Sequence, residues 1–206
     1  KVKINLRRKT SMKDRFIEIF NDNIKREGAG SLLSWLEKSD FFQAPASTRY
    51  HLSEPGGLVK HSVHVYERLR ELYINELSRV TEGPVILSDE DEERIAICGL
   101  LHDICKANFY TVEMRNKKND KGQWEKYPFY VINDTLPYGH GEKSAYIISG
   151  FMRLTREEAM AIRWHMGPWQ DGEKQTAGNA FEKFPLSVLT HIADLEATYL
   201  DDVEGS

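Results

Sequence analysis

An all-α helical bundle carrying one small β-hairpin is the fold class this sequence predicts, and three observations predict it. Apolar residues recur at helical spacing through most of the chain. Capping residues followed by an acid three positions later, with Gly or Pro breaks between segments, punctuate those stretches. Aromatic and β-branched flanks of the kind that make strands are confined to one place, residues 109 to 133.

Taken in order, Ser11 with Asp14 reads as a helix cap, and Phe16, Ile17, Phe20 and Ile24 then predict a helix over about 12–26. The GAG at 28–30 breaks it, and SLLSWLEK makes a short second helix before the irregular SDFFQAPASTRYHLSEPGG. That loop is long for a compact domain, a feature that often goes with function. From Gly57 to about Arg79 a long helix follows, with Leu58, Val65, Leu69, Leu72 and Tyr73 as its apolar face. Ser88 opens the next helix, and five consecutive acids occupy its first turns, where the helix dipole favours negative charge; no ligand is needed to explain them. FYTVEMRNKKNDKGQWEKYPFYVIN is the hairpin. Helices are expected over about 141–152, from the Thr155/Glu158 cap through AMAIRWHM, and from Pro185 through PLSVLTHIADLEATYL, with GPWQDGEKQTAGN as a Gly-rich loop between the last two.

The 206 residues suit one domain with a sizeable core, so residues 1–11 are read as a basic arm and 12–206 as a single helical domain. Six Lys or Arg and no acid lie in residues 1–13, leaving 22 basic against 32 acidic residues in the rest. A solvated arm explains the basic run more simply than nucleic-acid contact, and the acidic body disfavours long nucleic acid as a partner. No apolar run approaches the length that spans a bilayer, and there is no secretory leader pattern, so no membrane partner is expected and the cytoplasm is the expected compartment. Cys98 and Cys105, seven apart in one expected helix, read as buried thiols rather than a disulfide.

Two apolar segments hold ionisable groups where burial is costly. In IAICGLLHDICK, His102 and Asp103 sit among Leu100, Leu101 and Ile104, and in SVLTHIADLEATYL, Asp194 follows Ile192 and Ala193. A buried carboxylate needs a compensating charge. Two such sites, with seven histidines in the chain, favour a shared metal over independent ion pairs. Imidazole and carboxylate together suit zinc, manganese, iron, nickel or cobalt.

The ordered set His61, His102-Asp103, His140, His165 and Asp194 resembles the HD superfamily of metal-dependent phosphohydrolases, with LLHDICK close to its usual LLHDIGK and GGLVKHSVHV close to the approach to its first histidine. Cys105 stands where that pattern has Gly. The resemblance covers roughly residues 50–200 and implies an HD-type bundle. It implies His61, His102, Asp103 and Asp194 as ligands of one divalent ion, with His140 and His165 holding a second and Asp103 bridging. It further implies attack on a phosphoester by a metal-activated hydroxide, a nucleotide or related small phosphorylated molecule being the expected substrate. Asp103 and Lys106 are the expected catalytic residues, Lys106 also meeting phosphate, with Lys143 and Trp164 as further substrate contacts. A dinuclear-iron oxygenase of the same fold, a 3'-5' nuclease and a noncatalytic nucleotide-binding module are the alternatives.

Other residues stay open between a bland and a functional reading. Trp164 and Trp169, flanking His165, are core or a wall for a base. Lys106 also fits a lysine neutralising a helix C-terminus, and Lys143 one pointing to water. His64 and His191, one turn from expected ligands, are read as partly buried or solvent-facing ahead of supporting donors. His51 lies in a loop where substrate contact is conceivable. The hairpin either closes over an anionic ring-bearing substrate or packs its aromatics on the bundle while its lysines face water.

Overall fold

The computed structural model describes residues 11–168 and 171–203. Residues 1–10, which make up nearly all of the basic arm, and Trp169 lie outside the described residues. The helices are α1 Met12–Asn23, α2 Ala29–Lys38, α3 Gly57–Ser78, α4 Asp89–Leu101, α5 His140–Ser149, α6 Arg156–Arg163, α7 Lys174–Lys183 and α8 Pro185–Glu196. The sheet is a single antiparallel pair, β1 Tyr110–Lys118 and β2 Trp124–Ile132. The chain is thus all-α with a small hairpin.

Helix α3 is the centre of the bundle, packed against α1, α4 and α8, while α4 and α8 both touch α6. Its apolar face is the expected one: Leu58, Val65 and Leu69 are fully buried, and Leu72 and Tyr73 pack against the core edge. The core runs on through Phe16, Phe20, Leu32, Leu36, Phe41, Ile95, Leu100 and Leu101. Helices α3 and α4 approach so closely that a Cβ on Gly99 would lie 2.5 Å from Tyr66 Cα. That contact brings the first turns of α3 and the end of α4 together, where His61 and His102 stand.

Caps form where the sequence places them. Ser11, Ser88 and Thr155 each accept from the backbone N–H three residues on, and Ser88 and Thr155 complete capping boxes with Asp91 and Glu158. Three of the acids that open α4 also have partners outside their own helix: Asp91 accepts from Tyr73, Glu92 pairs with Arg70, and Glu93 accepts from the Lys25 and Arg26 backbone N–H groups and pairs with Arg26. Glu93 thereby stops α1 at Asn23, three residues short of the expected end. Arg26 also pairs with buried Glu158, fastening the start of α6 to the same corner.

Other elements also differ from expectation, α6 among them, which ends at Arg163 short of the expected Met166. The Gly-rich 167–179 stretch is only partly a loop, for a 3-10 turn at Asp171–Glu173 leads into α7. Ala177, Ala180 and Phe181 recur at helical spacing and cover Trp164, while Gly178 sits where nothing approaches it, so the packing gain outweighs the helix cost of one glycine, about 1 kcal/mol. Helix α4 ends at Leu101, and Cys105 falls in a separate 3-10 turn, Ile104–Lys106, so the two cysteines do not share a helix. Both are nonetheless buried free thiols, as expected. Beyond α8 the chain adds one π-helical turn, Ala197–Asp201.

Of the hairpin aromatics, Tyr110 packs against the core, and Tyr127, Phe129 and Tyr130 line a separate cleft with the loop at 48–55. Arg115 lies 3.8 Å over the Phe129 ring, and Lys117 and Lys118 lie over Tyr127 and Trp124. The ribbon satisfies its own cations, and Trp124 is largely exposed. Its base is tied in through the Tyr110 hydroxyl, which donates to the Ala46 carbonyl at 3.3 Å.

Candidate metal centre

His61 projects from the second turn of α3 and is buried. His102 caps the C-terminal end of α4 with its Nδ1 on the Gly99 carbonyl, 2.8 Å away. The chain then leaves helical geometry at Asp103 (φ −105°, ψ 17°), which turns the carboxylate inward beside the His102 ring. His140 is the first residue of α5, His165 follows the end of α6, and Asp194 lies in the third turn of α8. All except His140 are buried.

These six side chains converge. Asp103 Oδ2 lies 3.7 Å from His61 Nε2 and 3.6 Å from His102 Nε2, while its Oδ1 lies 2.6 Å from His140 Nε2 and 3.5 Å from His165 Nε2. Asp194 Oδ1 stands 3.2 Å from His61 Nε2 and 4.0 Å from His102 Nε2. One carboxylate therefore faces two histidine pairs, one with each oxygen.

The donor chemistry suits a cation. His102 Nδ1 and His165 Nδ1 meet the Gly99 and Ile162 carbonyls, and His61 Nδ1 meets Asp202 at 2.7 Å. Carbonyls and carboxylates only accept, so each Nδ1 carries a proton and each Nε2 is turned inward, that of the neutral His102 ring as a bare lone pair. The His61 and His102 Nε2 atoms are 3.1 Å apart, and His165 Nε2 is buried without a hydrogen-bond partner among the described residues. Lone pairs and carboxylates facing one another in a dry interior require positive charge between them.

Electrostatics agree. Burial opposes ionisation of Asp103, but Lys106, His102 and His140 outweigh it and hold the carboxyl well below its usual range. Asp194 is likewise lowered against burial, chiefly by its hydrogen bond to His61 and by the charge on that ring. Burial keeps His102 neutral, its pKa pushed down to about 3. His61 goes the other way, since Asp194 and Asp202 overcome burial and raise it to about 9. A proton on His61 thus supplies part of the positive charge that the acceptors call for.

The profile of one family, the HD domain, matches residues 58–196, about two thirds of the chain. This chain belongs to the HD domain family. The matched span runs from three residues before His61 to two after Asp194 and takes in every one of the six converging side chains. HD domains are in general metal-dependent phosphohydrolases. No curated protein and no solved structure matches the chain. No helix among the described residues is long and apolar enough to cross a membrane.

Of the expected substrate contacts of this HD domain, one faces the site. Lys106 places its ammonium 2.6 Å from Asp103 Oδ2, and it lines a cleft of about 620 Å³ with Asp103, His61 and Asp194. Lys143 does not line that cleft: it is buried, paired with Asp134 and set over the Phe109 ring, because α5 packs on the 3-10 turn and leaves its side chain only that acid. Trp164 does not line it either, being 2% exposed beneath Ala177 and Ala180 of the helix the sequence concealed.

Other residues turn out closer to the HD centre than expected. Asp202, just past the π-helical turn, has no motif around it, yet its two oxygens meet His61 Nδ1 at 2.7 Å and His64 Nδ1 at 2.6 Å. His191 Nδ1 donates to the His165 carbonyl at 2.5 Å, so His64 and His191 both brace the centre rather than face solvent. Cys105, in the Gly position of the family pattern, puts its Sγ 3.5 Å from His140 Nδ1. The His51 ring stands 5.0 Å from that of His61.

Proposed function

We propose that this HD domain is a phosphohydrolase that cleaves a phosphoester of a small phosphorylated molecule, a nucleotide first, with two divalent transition-metal ions. The observation that carries the reading is the division of Asp103, one oxygen toward His61 and His102 and the other toward His140 and His165. In this reading His61, His102, Asp103 and Asp194 hold one ion, and His140, His165 and the same Asp103 hold the other. The ions, among manganese, iron, zinc, nickel and cobalt, supply Lewis acidity toward phosphoryl oxygen and acidify water.

The chain supplies the remainder. Asp103 and Asp194 stay ionised at neutral pH and offer anionic oxygens. Lys106, whose protonated form Asp103 strengthens against burial, keeps its charge in the cleft and donates to a phosphate oxygen. The cleft walls are mainly apolar, with Leu52, Met166 and Leu195 beside the polar floor, which suits an ester whose anionic end goes inward and whose ring or chain lies against the wall. A small substrate fits this enclosed shape and the acidic body better than a long nucleic acid does. The two free buried thiols are consistent with a reducing compartment such as the cytoplasm.

Metal analysis of the purified protein, together with hydrolysis assays on p-nitrophenyl phosphate and a nucleotide panel, tests this reading against Asp103→Ala. Two equivalents of metal and phosphate release in the wild type, both lost in the variant, are expected. Iron content with oxygen consumption and no phosphate release would replace it by the oxygenase alternative.

A further inference from the structure

The loop before α3 holds a histidine that the ligand set does not use. Residues 46–52 form a closed turn: the Ala46 N–H donates to the Leu52 carbonyl at 3.1 Å, the Ser47 hydroxyl donates to the His51 carbonyl at 2.8 Å, and the Tyr50 N–H donates to Ser47 Oγ at 2.9 Å. Leu52 closes the turn with φ 44°, a left-handed conformation costly for a branched aliphatic residue. Gly57 permits it, since any Cβ there would fall 2.1 Å from the Leu52 carbonyl oxygen. Backbone strain held by three hydrogen bonds and a glycine is a marker of a residue being aimed.

The residue aimed is His51. Its ring lines the cleft with Lys106, Asp103 and Asp194. It also groups with His61 and Asp202, with ligand-type atoms within 4.8 Å of one another. Its Nε2 is buried and has no hydrogen-bond partner among the described residues. The acceptors near it are already engaged: Asp202 spends one oxygen on His61 and the other on His64. A buried ring nitrogen without a partner is unfavourable, so a group that enters the cleft and accepts from it relieves that penalty.

We propose that His51 is a further catalytic residue of this centre, donating a hydrogen bond from its ring to a phosphoryl oxygen of the bound substrate. The inference rests on the phosphohydrolase reading. In it Lys106 and His51 reach the phosphoryl group from two separate segments, the 3-10 turn after α4 and the turn before α3. The strain at Leu52 fixes the ring in place before substrate arrives, so no ordering cost falls on binding.

The test uses the full chain loaded with manganese. For wild type, His51→Ala and His51→Gln, it measures bound metal, hydrolysis of p-nitrophenyl phosphate and bis(p-nitrophenyl) phosphate, and calorimetric affinity for inorganic phosphate. His51→Ala is expected to keep its metal while kcat/KM falls about 100-fold, in line with the loss of one preorganised donor, and phosphate binds about tenfold more weakly. His51→Gln, which keeps an N–H donor at a similar reach, is expected to recover part of both. Unchanged hydrolysis and phosphate affinity in His51→Ala overturns the proposal, and so does loss of metal in that variant, which would make His51 a ligand. A wild type that neither hydrolyses these esters nor binds phosphate overturns the phosphohydrolase reading itself, a result distinct from an active wild type indifferent to position 51.

Discussion

Asp202 shows what a single side chain does for the centre without touching its interior. Both of its oxygens are engaged by histidine Nδ1 atoms, and His61 and His64 together hold its carboxyl down at about 2 although burial works against ionisation. The bond to His61 fixes the tautomer and turns Nε2 inward, and partners of that kind change metal affinity by about 10–100-fold when removed. Asp202→Asn is therefore expected to weaken metal binding by that order while the fold survives, whereas His64→Ala, which frees only the other oxygen, is expected to weaken it less. Competition with a chromophoric chelator measures both, and equal affinities in Asp202→Asn and wild type would remove Asp202 from the centre. The sequence offers His64 as a supporting donor among its readings, but the part of Asp202 is not legible in it. His102-Asp103 stood out because ionisable groups interrupt an apolar run, but Asp202 follows another aspartate in a polar tail, and only the fold carries it 141 positions back to His61.

At the scale of elements, the sequence read best where local chemistry decides the outcome. Ser88 and Thr155 build their capping boxes as their spacing predicts, and Ser88→Ala is expected to cost about 1 kcal/mol in chemical denaturation. Where tertiary packing decides, local sequence does not carry the signal. Helix α7 lay hidden because three glycines and a proline signal a loop, while Ala177 and Ala180 reveal themselves as a face only once Trp164 is beneath them. That same concealment made Trp164 resemble a substrate wall. The end of α4 was likewise set from outside, as the turn at Asp103 serves convergence on His140 and His165 rather than any breaker in LLHDICK. Gly99 joins the two scales. Gly99→Ala must push α4 off the Tyr66 backbone, so it is expected to destabilise by about 1–3 kcal/mol. Because His61 and His102 ride on those two helices, metal stoichiometry is expected to drop in the same variant. Wild-type stability together with full metal content would refute the close-packing account.

At the scale of the whole molecule, the centre is where α3, α4, α5, α6 and α8 meet, so what occupies it is coupled to folding. The order of the six residues and the bridging place of Asp103 were legible through family resemblance; the support of His61 by Asp202 was not, since it depends on packing between segments 141 positions apart. The coupling has a definite pH signature. Burial opposes a charge on His61, but Asp194 and Asp202 outweigh it and raise its pKa from 6.5 to about 9. A histidine raised in the folded state stabilises the metal-free fold fully below its unfolded pKa, and that contribution disappears as pH climbs through the folded one. For this group the window runs from 6.5 to about 9, and the loss is at most about 1.4 kcal/mol per pH unit. A metal ion takes the place of that proton, so its affinity rises over the same window while the metal-free protein weakens. The melting temperature of chelator-treated protein is accordingly expected to fall between pH 6.5 and 9, and the gap to manganese-loaded protein to widen. His61→Ala keeps a proton to displace only at His140, which Cys105 and Asp103 raise to about 10 against burial, so its gap is expected to be narrower and to widen less steeply across the window. A gap in the wild type that is constant or shrinks with rising pH would mean that His61 does not exchange its proton for the ion, and His61 would then leave the ligand set.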